Sequence, residues 1–200
     1  MRRMTRSAST PRLRLTLLYF LALLAATAVC APQHPPGAAL QAPAVLLIAF
    51  ACLGRIWCSV FIAGRKDSTI VTDGPYALCR HPLYVLSFVG GLGLALATGS
   101  VTLIATTAIV LALLFAGAAR REERWLAAHH GEAYAAYARS TARWWLASSR
   151  WSLPETLVVH PAVLWKAFVD AGAFFLLYAL LLIAQALRTS GIVPTLLVLP

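Results

Sequence analysis

The sequence has little charge, and acidic residues are the scarcest charged group. Only 12% of its 200 residues are charged, whereas a soluble domain has about 25%. Asp and Glu number 7 against 17 Lys and Arg, so the formal net charge is +10. The mean hydropathy is +0.75. This shortage excludes an ordinary soluble domain and predicts one small membrane domain over residues 1–200.

Cysteines are also few, and their spacing does not indicate a site. None of the four forms a C-x-x-C pair, and three lie within apolar runs (Cys30, Cys52, Cys58, Cys79). We therefore expect small buried hydrophobic residues, with neither a metal site nor a disulfide framework. The basic residues lie between apolar runs rather than on one soluble helix. This pattern favours orientation in a membrane over nucleic-acid binding.

Five apolar runs predict the helices of an all-α, polytopic membrane bundle. The runs cover residues 15–31, 44–63, 83–97, 101–119 and 166–187. The first could be a cleaved signal peptide, but a retained helix is favoured because everything downstream is also apolar. Thr98-Gly99-Ser100 separates the third and fourth runs, which predicts a tight helical hairpin.

The basic residues alternate along the chain in a way that predicts its topology. The links at 32–43 and 98–100 contain no Lys or Arg, whereas segments 64–82 and 120–165 contain many. The positive-inside rule then predicts a cytosolic N-terminus, five spans and an external C-terminus. We expect a multi-pass protein of the bacterial inner membrane, with both basic segments in the cytosol.

The segment at 64–82 carries the first candidate chemistry. Gly74-Pro75 predicts a turn, and Pro82 predicts the first position of a helix. Arg80 and His81 then lie at a helix N-terminus, where free N–H groups favour an anion such as a carboxylate.

Two tyrosines of the same region are candidates for contacts with a ligand ring. Tyr76 and Tyr84 offer aromatic faces to a purine or a sulfonium cation. An interfacial belt, in which Arg snorkels and Tyr anchors the helix, explains the same residues. Both interpretations stay open on physical grounds.

The second candidate segment is the glutamate pair at the end of the fourth run. Glu122 and Glu123 are adjacent and therefore point about 100° apart on a helix, so only one is expected to face a given pocket. Alone, the pair is typical of solvated charge. The short hairpin, however, returns both segments to one face and predicts that Arg80 and His81 lie near the glutamates.

Together these motifs resemble a known family. The pattern G-P-Y-x3-R-H-P-x-Y, then E-E-x2-L, then G-E-x-Y-x2-Y resembles the isoprenylcysteine carboxyl methyltransferases and is similar to the phospholipid N-methyltransferases. The resemblance covers about residues 44–145. Its elements are Gly74 to Tyr76, Arg80 to Tyr84, Glu122 to Leu126, and Gly131 to Tyr137.

The resemblance implies a membrane-embedded methyltransferase that uses S-adenosylmethionine. The implied substrate is a lipophilic small molecule, lipid or prenyl-type compound that enters from the bilayer and is methylated on a carboxyl oxygen or an amine. The implied cofactor-binding residues are Ile70, Val71, Tyr76, His81, Pro82, Leu83, Tyr84, Glu122 and Glu123. Glu122 is expected to be the main carboxylate ligand.

The implied catalytic residues depend on the methyl acceptor. Arg80 and Arg121 are the candidates for orienting an acceptor carboxylate bidentately. If the acceptor is an amine, His81 is the candidate base.

Two positions depart from the family pattern. Ser68 stands where the family has His, and Ala118 stands where eukaryotic members have a substrate-holding Arg, which Arg120 or Arg121 would have to replace. These departures favour the alternative of a non-catalytic membrane subunit or assembly factor. The helix at 166–187 lies beyond the matched core. Within the spans, Arg55 is predicted to pair with Asp170 or to snorkel.

Overall fold

A computed structural model describes residues 10–33, 37–65, 69–144 and 151–200, and this part of the chain is almost entirely helical. The helices are α1 (Thr10–Val29), α2 (Ala38–Ile62), α3 (Pro75–Leu78), α4 (Pro82–Leu96), α5 (Val101–Ser140) and α6 (Pro161–Thr189). Two short strands, β1 (Cys30–Pro32) and β2 (Leu197–Leu199), pair in parallel. The prediction of an all-α membrane bundle is confirmed.

Three helices are long and apolar enough to cross a membrane: Ala39–Ile62, Val101–Ser140 and Pro161–Thr189. Two shorter apolar helices, Arg14–Val29 and Pro82–Leu96, accompany them within the described residues. Large apolar side chains such as Leu53 on α2 and Trp165 on α6 are more than two-thirds exposed. Helices that are apolar all round are typical of membrane spans.

The helix ends differ from those predicted because an apolar run and a helix do not end at the same residue. Helix α2 begins before residue 44 and contains Pro43. Helix α5 continues from 119 to Ser140, because its polar continuation is rich in Ala, Arg and Glu, which are strong helix formers. Helix α6 begins at Pro161, a residue well suited to the first helical position. The strand at the C-terminal tail was not predicted.

The chain forms two compact units. The first contains residues 1–46, 91–118 and 175–200, and the second contains residues 47–90 and 119–174. In the first unit the tail is held by the backbone: Leu196 N–H donates to Val29 O at 2.8 Å. The Ser100 hydroxyl donates to Pro200 O at 2.8 Å. Arg188 is buried and donates to the carbonyls of Thr27 and Cys30.

The second unit positions the segment at 69–82 against α2. Its core contains Cys58, Phe61, Val71, Tyr76 and Leu86. Gly74 has a φ of 56°, and a Cβ there would lie 2.3 Å from the Phe61 ring. Glycine is therefore required at this turn both for its backbone conformation and for the close approach of Phe61.

The pairing predicted between Arg55 and Asp170 is not the arrangement observed in this unit. Arg55 donates to the Ser87 hydroxyl, and its guanidinium lies 5.5 Å from the centroid of the Phe174 ring. Asp170 accepts a hydrogen bond from Lys166, one turn earlier on α6, at 2.7 Å. Each charge thus has another partner.

Candidate functional site

His81 lies directly before α4, where Pro82 begins the helix, and is only 5% exposed. Its Nε2 lies 3.0 Å from Oε1 of Glu123 on α5. The two motif segments that the sequence placed near each other therefore meet through a buried hydrogen bond.

Glu123 has three basic neighbours in the second unit. Arg143 Nε donates to Glu123 Oε1 at 2.9 Å, and Arg143 Nη2 donates to Oε2, which makes a bidentate pair. Arg80 Nη1 lies 3.2 Å from the same Oε1. Bidentate Arg–carboxylate pairs fix orientation as well as charge. Glu123 is therefore held firmly beside His81.

Glu122 reaches the same cluster from the next position on the helix. The Tyr84 hydroxyl donates to Glu122 Oε2 at 2.7 Å. His81 Nδ1 lies 3.9 Å from that oxygen, and the Glu122 side chain is 39% exposed. Both glutamates therefore contact the start of α4, although the sequence predicted only one there. Glu123 is the buried partner, and Glu122 keeps acceptor capacity toward solvent.

Charge and burial set the protonation of this cluster. Burial alone would raise the pKa of Glu123. The hydrogen bonds from Arg143 and His81 and the charge of Arg80 outweigh it, so that pKa is lowered from its ordinary value. For His81, burial outweighs the nearby carboxylates and lowers the pKa below its ordinary value of 6.5. A neutral His81 donates through Nε2 to Glu123 and leaves a lone pair on Nδ1.

Aromatic rings surround His81. The rings of His81 and Tyr84 are stacked, with centroids 5.4 Å apart and an interplanar angle of 18°. The rings of Trp144 and His81 are tilted relative to each other, with centroids 5.5 Å apart and an interplanar angle of 42°. Among the predicted cofactor residues, Tyr84 thus lies beside the two glutamates and His81.

Tyr76 and its neighbours have a different position. Tyr76 is buried in the core, with Tyr137 donating to its carbonyl at 2.7 Å. Burial raises the pKa of Tyr76 well above its usual value. Its hydroxyl is buried without a hydrogen-bond partner among the described residues. Val71 shares this core and Leu83 packs against it, whereas Ile70 is half-buried and Pro82 is buried.

An open cavity of about 580 Å³ adjoins Glu123. It is lined by Arg80, Arg120, Glu123, Arg124, Ala127, Tyr134 and Arg143. Only two of the predicted site residues, Arg80 and Glu123, line it. Arg121 is exposed and lies outside this lining, whereas Arg120 belongs to it. Arg80 Nη1 also lies 3.3 Å from the Tyr134 hydroxyl.

The sequence interpretation missed Arg143 and Tyr134 as site residues. Arg143 could not be recognised as a site residue, because no periodic pattern links residue 143 to Glu123. The signal for Tyr134 was present in the G-E-x-Y motif. Ser68 lies outside the described residues. No group of three His, Cys, Asp or Glu side chains in the described ranges is arranged to hold a metal ion.

An all-α membrane bundle with a buried His–Glu–Arg cluster defines the class: a polytopic protein whose polar site is built at the ends of its apolar helices. Residues 39–133 match the phospholipid methyltransferase family, and the chain belongs to this family. The chain is a membrane protein, as the sequence predicted.

Three named relatives are similar to this chain. It is 35% identical to the nickel-cobalt-cadmium resistance protein NccN of Alcaligenes xylosoxydans xylosoxydans, over 82% of this chain and 76% of that one. It is 39% identical to the cobalt-zinc-cadmium resistance protein CzcN of Cupriavidus metallidurans, over 65% and 60% respectively. The protein-S-isoprenylcysteine O-methyltransferase of Schizosaccharomyces pombe is 36% identical over 36% of this chain and 31% of its own length. No solved structure matches the chain.

Proposed function

We propose that this protein is an S-adenosylmethionine-dependent methyltransferase that acts on a lipophilic substrate entering from the bilayer. The observation that carries the proposal is the cluster in which His81 and Tyr84 contact Glu122 and Glu123. The family motif supplies all four residues, from two segments separated by a helical hairpin. We also propose that this cluster faces the cytosol.

The residues of the cluster fit the cofactor. Glu122 accepts one hydrogen bond from Tyr84 and is 39% exposed, so its remaining lone pairs can accept from ribose hydroxyls or an ammonium group. The stacked His81 and Tyr84 rings and the adjacent Trp144 provide aromatic surface for a purine or a sulfonium cation. Glu123 is engaged by Arg80, His81 and Arg143, which favours a positioning role.

Bound S-adenosylmethionine supplies an electrophilic methyl group, and the chain has to position the acceptor and exclude water. For an amine acceptor, His81 Nδ1 provides a lone pair for the proton, because Nε2 is committed to Glu123. For a carboxylate acceptor, Arg80 is the better candidate of the two predicted arginines, because its Nε is buried without a hydrogen-bond partner among the described residues. Arg121 is exposed and does not line the cavity beside Glu123.

The names of two relatives suggest a second candidate function. Two of them are named metal resistance proteins, and Ala118, at the position of the family's substrate-holding Arg, is buried. These observations favour a non-catalytic membrane component that serves metal resistance and keeps the methyltransferase fold.

Titration calorimetry of S-adenosylmethionine into the purified protein in detergent separates the two candidates. We expect saturable binding by the wild type and none by Glu122→Ala. Glu132→Ala is the matched control, because Glu132 lies on the same helix, is 81% exposed and pairs only with Arg139 among the described salt bridges. Wild-type affinity in Glu122→Ala would overturn the site, and no binding by the wild type would favour the non-catalytic function.

The methyl acceptor requires a second measurement. Native membranes containing the protein are incubated with cofactor carrying a labelled methyl group, and lipid, small-molecule and protein fractions are then separated. We expect label in a lipophilic fraction that is absent from membranes carrying Glu122→Ala.

A further inference from the structure

Residues 190–200 form an apolar tail that follows α6 and is largely exposed. The tail contains no charged residue. Four of its large side chains are more than half exposed: Ile192, Leu196, Leu197 and Val198. Neighbouring apolar side chains that are exposed to this degree indicate a surface that contacts a membrane or another protein.

The backbone of the apolar tail is hydrogen-bonded within the protein, as an apolar medium requires. Water would satisfy the N–H and C=O groups of an exposed tail, whereas lipid cannot. The N–H groups of Ile192 and Val193 donate to Leu187 O at 3.1 and 3.2 Å, and Pro194 has no N–H. The turn after α6 therefore satisfies these donors within the protein.

The strand of the apolar tail is paired in the same way with the chain that follows α1. Leu196 N–H donates to Val29 O at 2.8 Å, and Leu199 O accepts from Gln33 N–H at 2.9 Å. Between these two bonds, β2 pairs with β1 residue by residue. The exposed side chains therefore project from a strand that is hydrogen-bonded along β1.

The apolar tail lies at the level where the membrane helices end. Lys166 and Arg188 lie near the two ends of α6, about 33 Å apart at 1.5 Å per residue, which is close to the hydrocarbon thickness of about 30 Å. At the far end of the tail, Pro200 O accepts from the Ser100 hydroxyl at 2.8 Å and from Thr102 N–H at 3.0 Å. The tail therefore crosses the ends of the helices at the edge of the hydrocarbon layer.

The exposed apolar surface of α6 continues into the apolar tail. Ile183 and Leu187 are exposed on the last turns of the apolar part of α6, and Ile192 is the next large exposed side chain along the chain. Because this surface is continuous with one that faces lipid, the membrane is its nearest apolar partner. The sheet has only the strands β1 and β2, so its open edges suit the bilayer surface rather than the hydrocarbon centre.

We propose that the apolar tail inserts its side chains into the surface layer of the bilayer, at the membrane face where α1 and α6 end. The partner is the upper part of the lipid acyl chains, so no particular headgroup is required. The β1–β2 pair then anchors the ends of both helices in the interface. The proposal uses no residue of the cluster at His81 and Glu123 and does not depend on methyl transfer.

Quenching of a fluorophore in proteoliposomes that contain only this protein tests the insertion. Bimane is attached to Ile192→Cys or Val198→Cys in a Cys30→Ala background, because Cys30 is half-buried while the other three cysteines are buried. Ile183→Cys, on the exposed apolar face of α6, is the lipid reference. Glu132→Cys is the water reference, because the Glu132 side chain is 81% exposed on the polar part of α5.

The quenchers are iodide in water and phosphatidylcholine that carries a nitroxide at the headgroup or deep in the acyl chain. At residues 192 and 198 we expect strong quenching by the nitroxide lipids and weak quenching by iodide, as at residue 183. The headgroup nitroxide should quench the tail more strongly than the deep one, and residue 183 should show the reverse order. Adding phosphatidylglycerol should leave the tail signal unchanged.

Three results would overturn the proposal. Iodide quenching equal to that at residue 132, without lipid quenching, would leave a water-exposed surface for a protein partner. Shielding from both quenchers would indicate contact between copies of the chain. Lipid quenching only when phosphatidylglycerol is present would mean that the headgroup, and not the acyl chain, is bound.

The unsubstituted protein provides a second measurement, which does not depend on the folding of the cysteine variants. Hydrogen exchange in lipid nanodiscs should be slow at the amides of Ile192, Val193 and Leu196, because these donors are paired. Exchange as fast as that of an unstructured peptide would also overturn the proposal.

Discussion

Glu123 connects three basic groups that come from different parts of the second unit. Arg80 and His81 precede α4, Arg143 follows α5, and all three contact one carboxylate that is 9% exposed. A buried charge of this kind is costly unless it is fully paired. Loss of any one partner should therefore destabilise the contact between these segments.

Neutralising Glu123 should destabilise the protein. Glu123→Gln keeps the side-chain shape but leaves Arg80 and Arg143 without their counter-charge. We expect the free energy of unfolding in detergent to fall by about 2 kcal/mol or more, somewhat less than for a fully buried pair because Arg143 is partly exposed. Glu132→Gln, which removes an exposed ion pair with Arg139, should change it little. Equal effects of the two substitutions would contradict this account.

The lowered pKa values of His81 and Glu123 predict a loss of stability in acid. The unfolded chain takes up a proton on His81 below its ordinary pKa of 6.5, and the folded state resists this. The unfolded chain likewise takes up a proton on Glu123 below its ordinary pKa of 4.5, and the folded state resists this too. Stability should therefore be full above pH 6.5, begin to fall below it and fall further below pH 4.5.

Denaturation curves between pH 8 and pH 4 test this sign. His81→Gln should lose the part of the decline that begins near pH 6.5 and keep the part below 4.5. A wild type that becomes more stable between pH 7 and pH 5 would mean that His81 gains rather than resists a proton on folding.

At the scale of elements, α5 changes direction at Gly131 and thereby brings its last turns to the site. Gly131 has φ 50° and ψ −122° inside the helix, a conformation that is accessible essentially only to glycine. Beyond it, Tyr134 contacts Arg80 and Tyr137 contacts the Tyr76 carbonyl. The C-terminal part of α5 thus depends on one backbone position.

Replacing this glycine should be costly for a purely conformational reason. A Cβ on Gly131 would meet nothing within 4 Å, so Gly131→Ala is expected to cost about 1–3 kcal/mol through backbone strain alone. Gly172→Ala on α6 is the control, because its Cβ also meets open space but its φ is not positive. That change should be neutral or slightly stabilising. Chemical denaturation of both variants in detergent gives the comparison.

The elements also show what the sequence could and could not predict. The short hairpin of α4 and α5 followed from apolar runs joined by Thr98-Gly99-Ser100, and with it the proximity of His81 and Glu123. Arg143 could not be predicted, because it follows the end of α5 in an irregular segment whose contact is specified by tertiary packing. The pairing of β1 with β2 could not be predicted from the sequence either, since each strand has only three residues and the two lie far apart along the chain.

At the scale of the whole molecule, the two units divide the polar links of the chain. The links predicted to be external, at 32–43 and 98–100, belong to the first unit together with the tail. The basic segments predicted to be cytosolic, 64–82 and 120–165, belong to the second unit. These two basic segments therefore lie in the unit that contains the candidate site.

This division predicts that the C-terminus and the link after α1 share one compartment. Strand β2 pairs with β1, and Arg188 donates to the Thr27 and Cys30 carbonyls, so the tail and the end of α1 are held together. The positive-inside rule assigns this compartment to the outside. In bacterial cells, a periplasmic reporter such as alkaline phosphatase fused after Pro200 should be active, and a fusion after residue 130 should be inactive. Activity reversed between the two fusions would place His81 and Glu123 on the external side and so remove them from cytosolic S-adenosylmethionine.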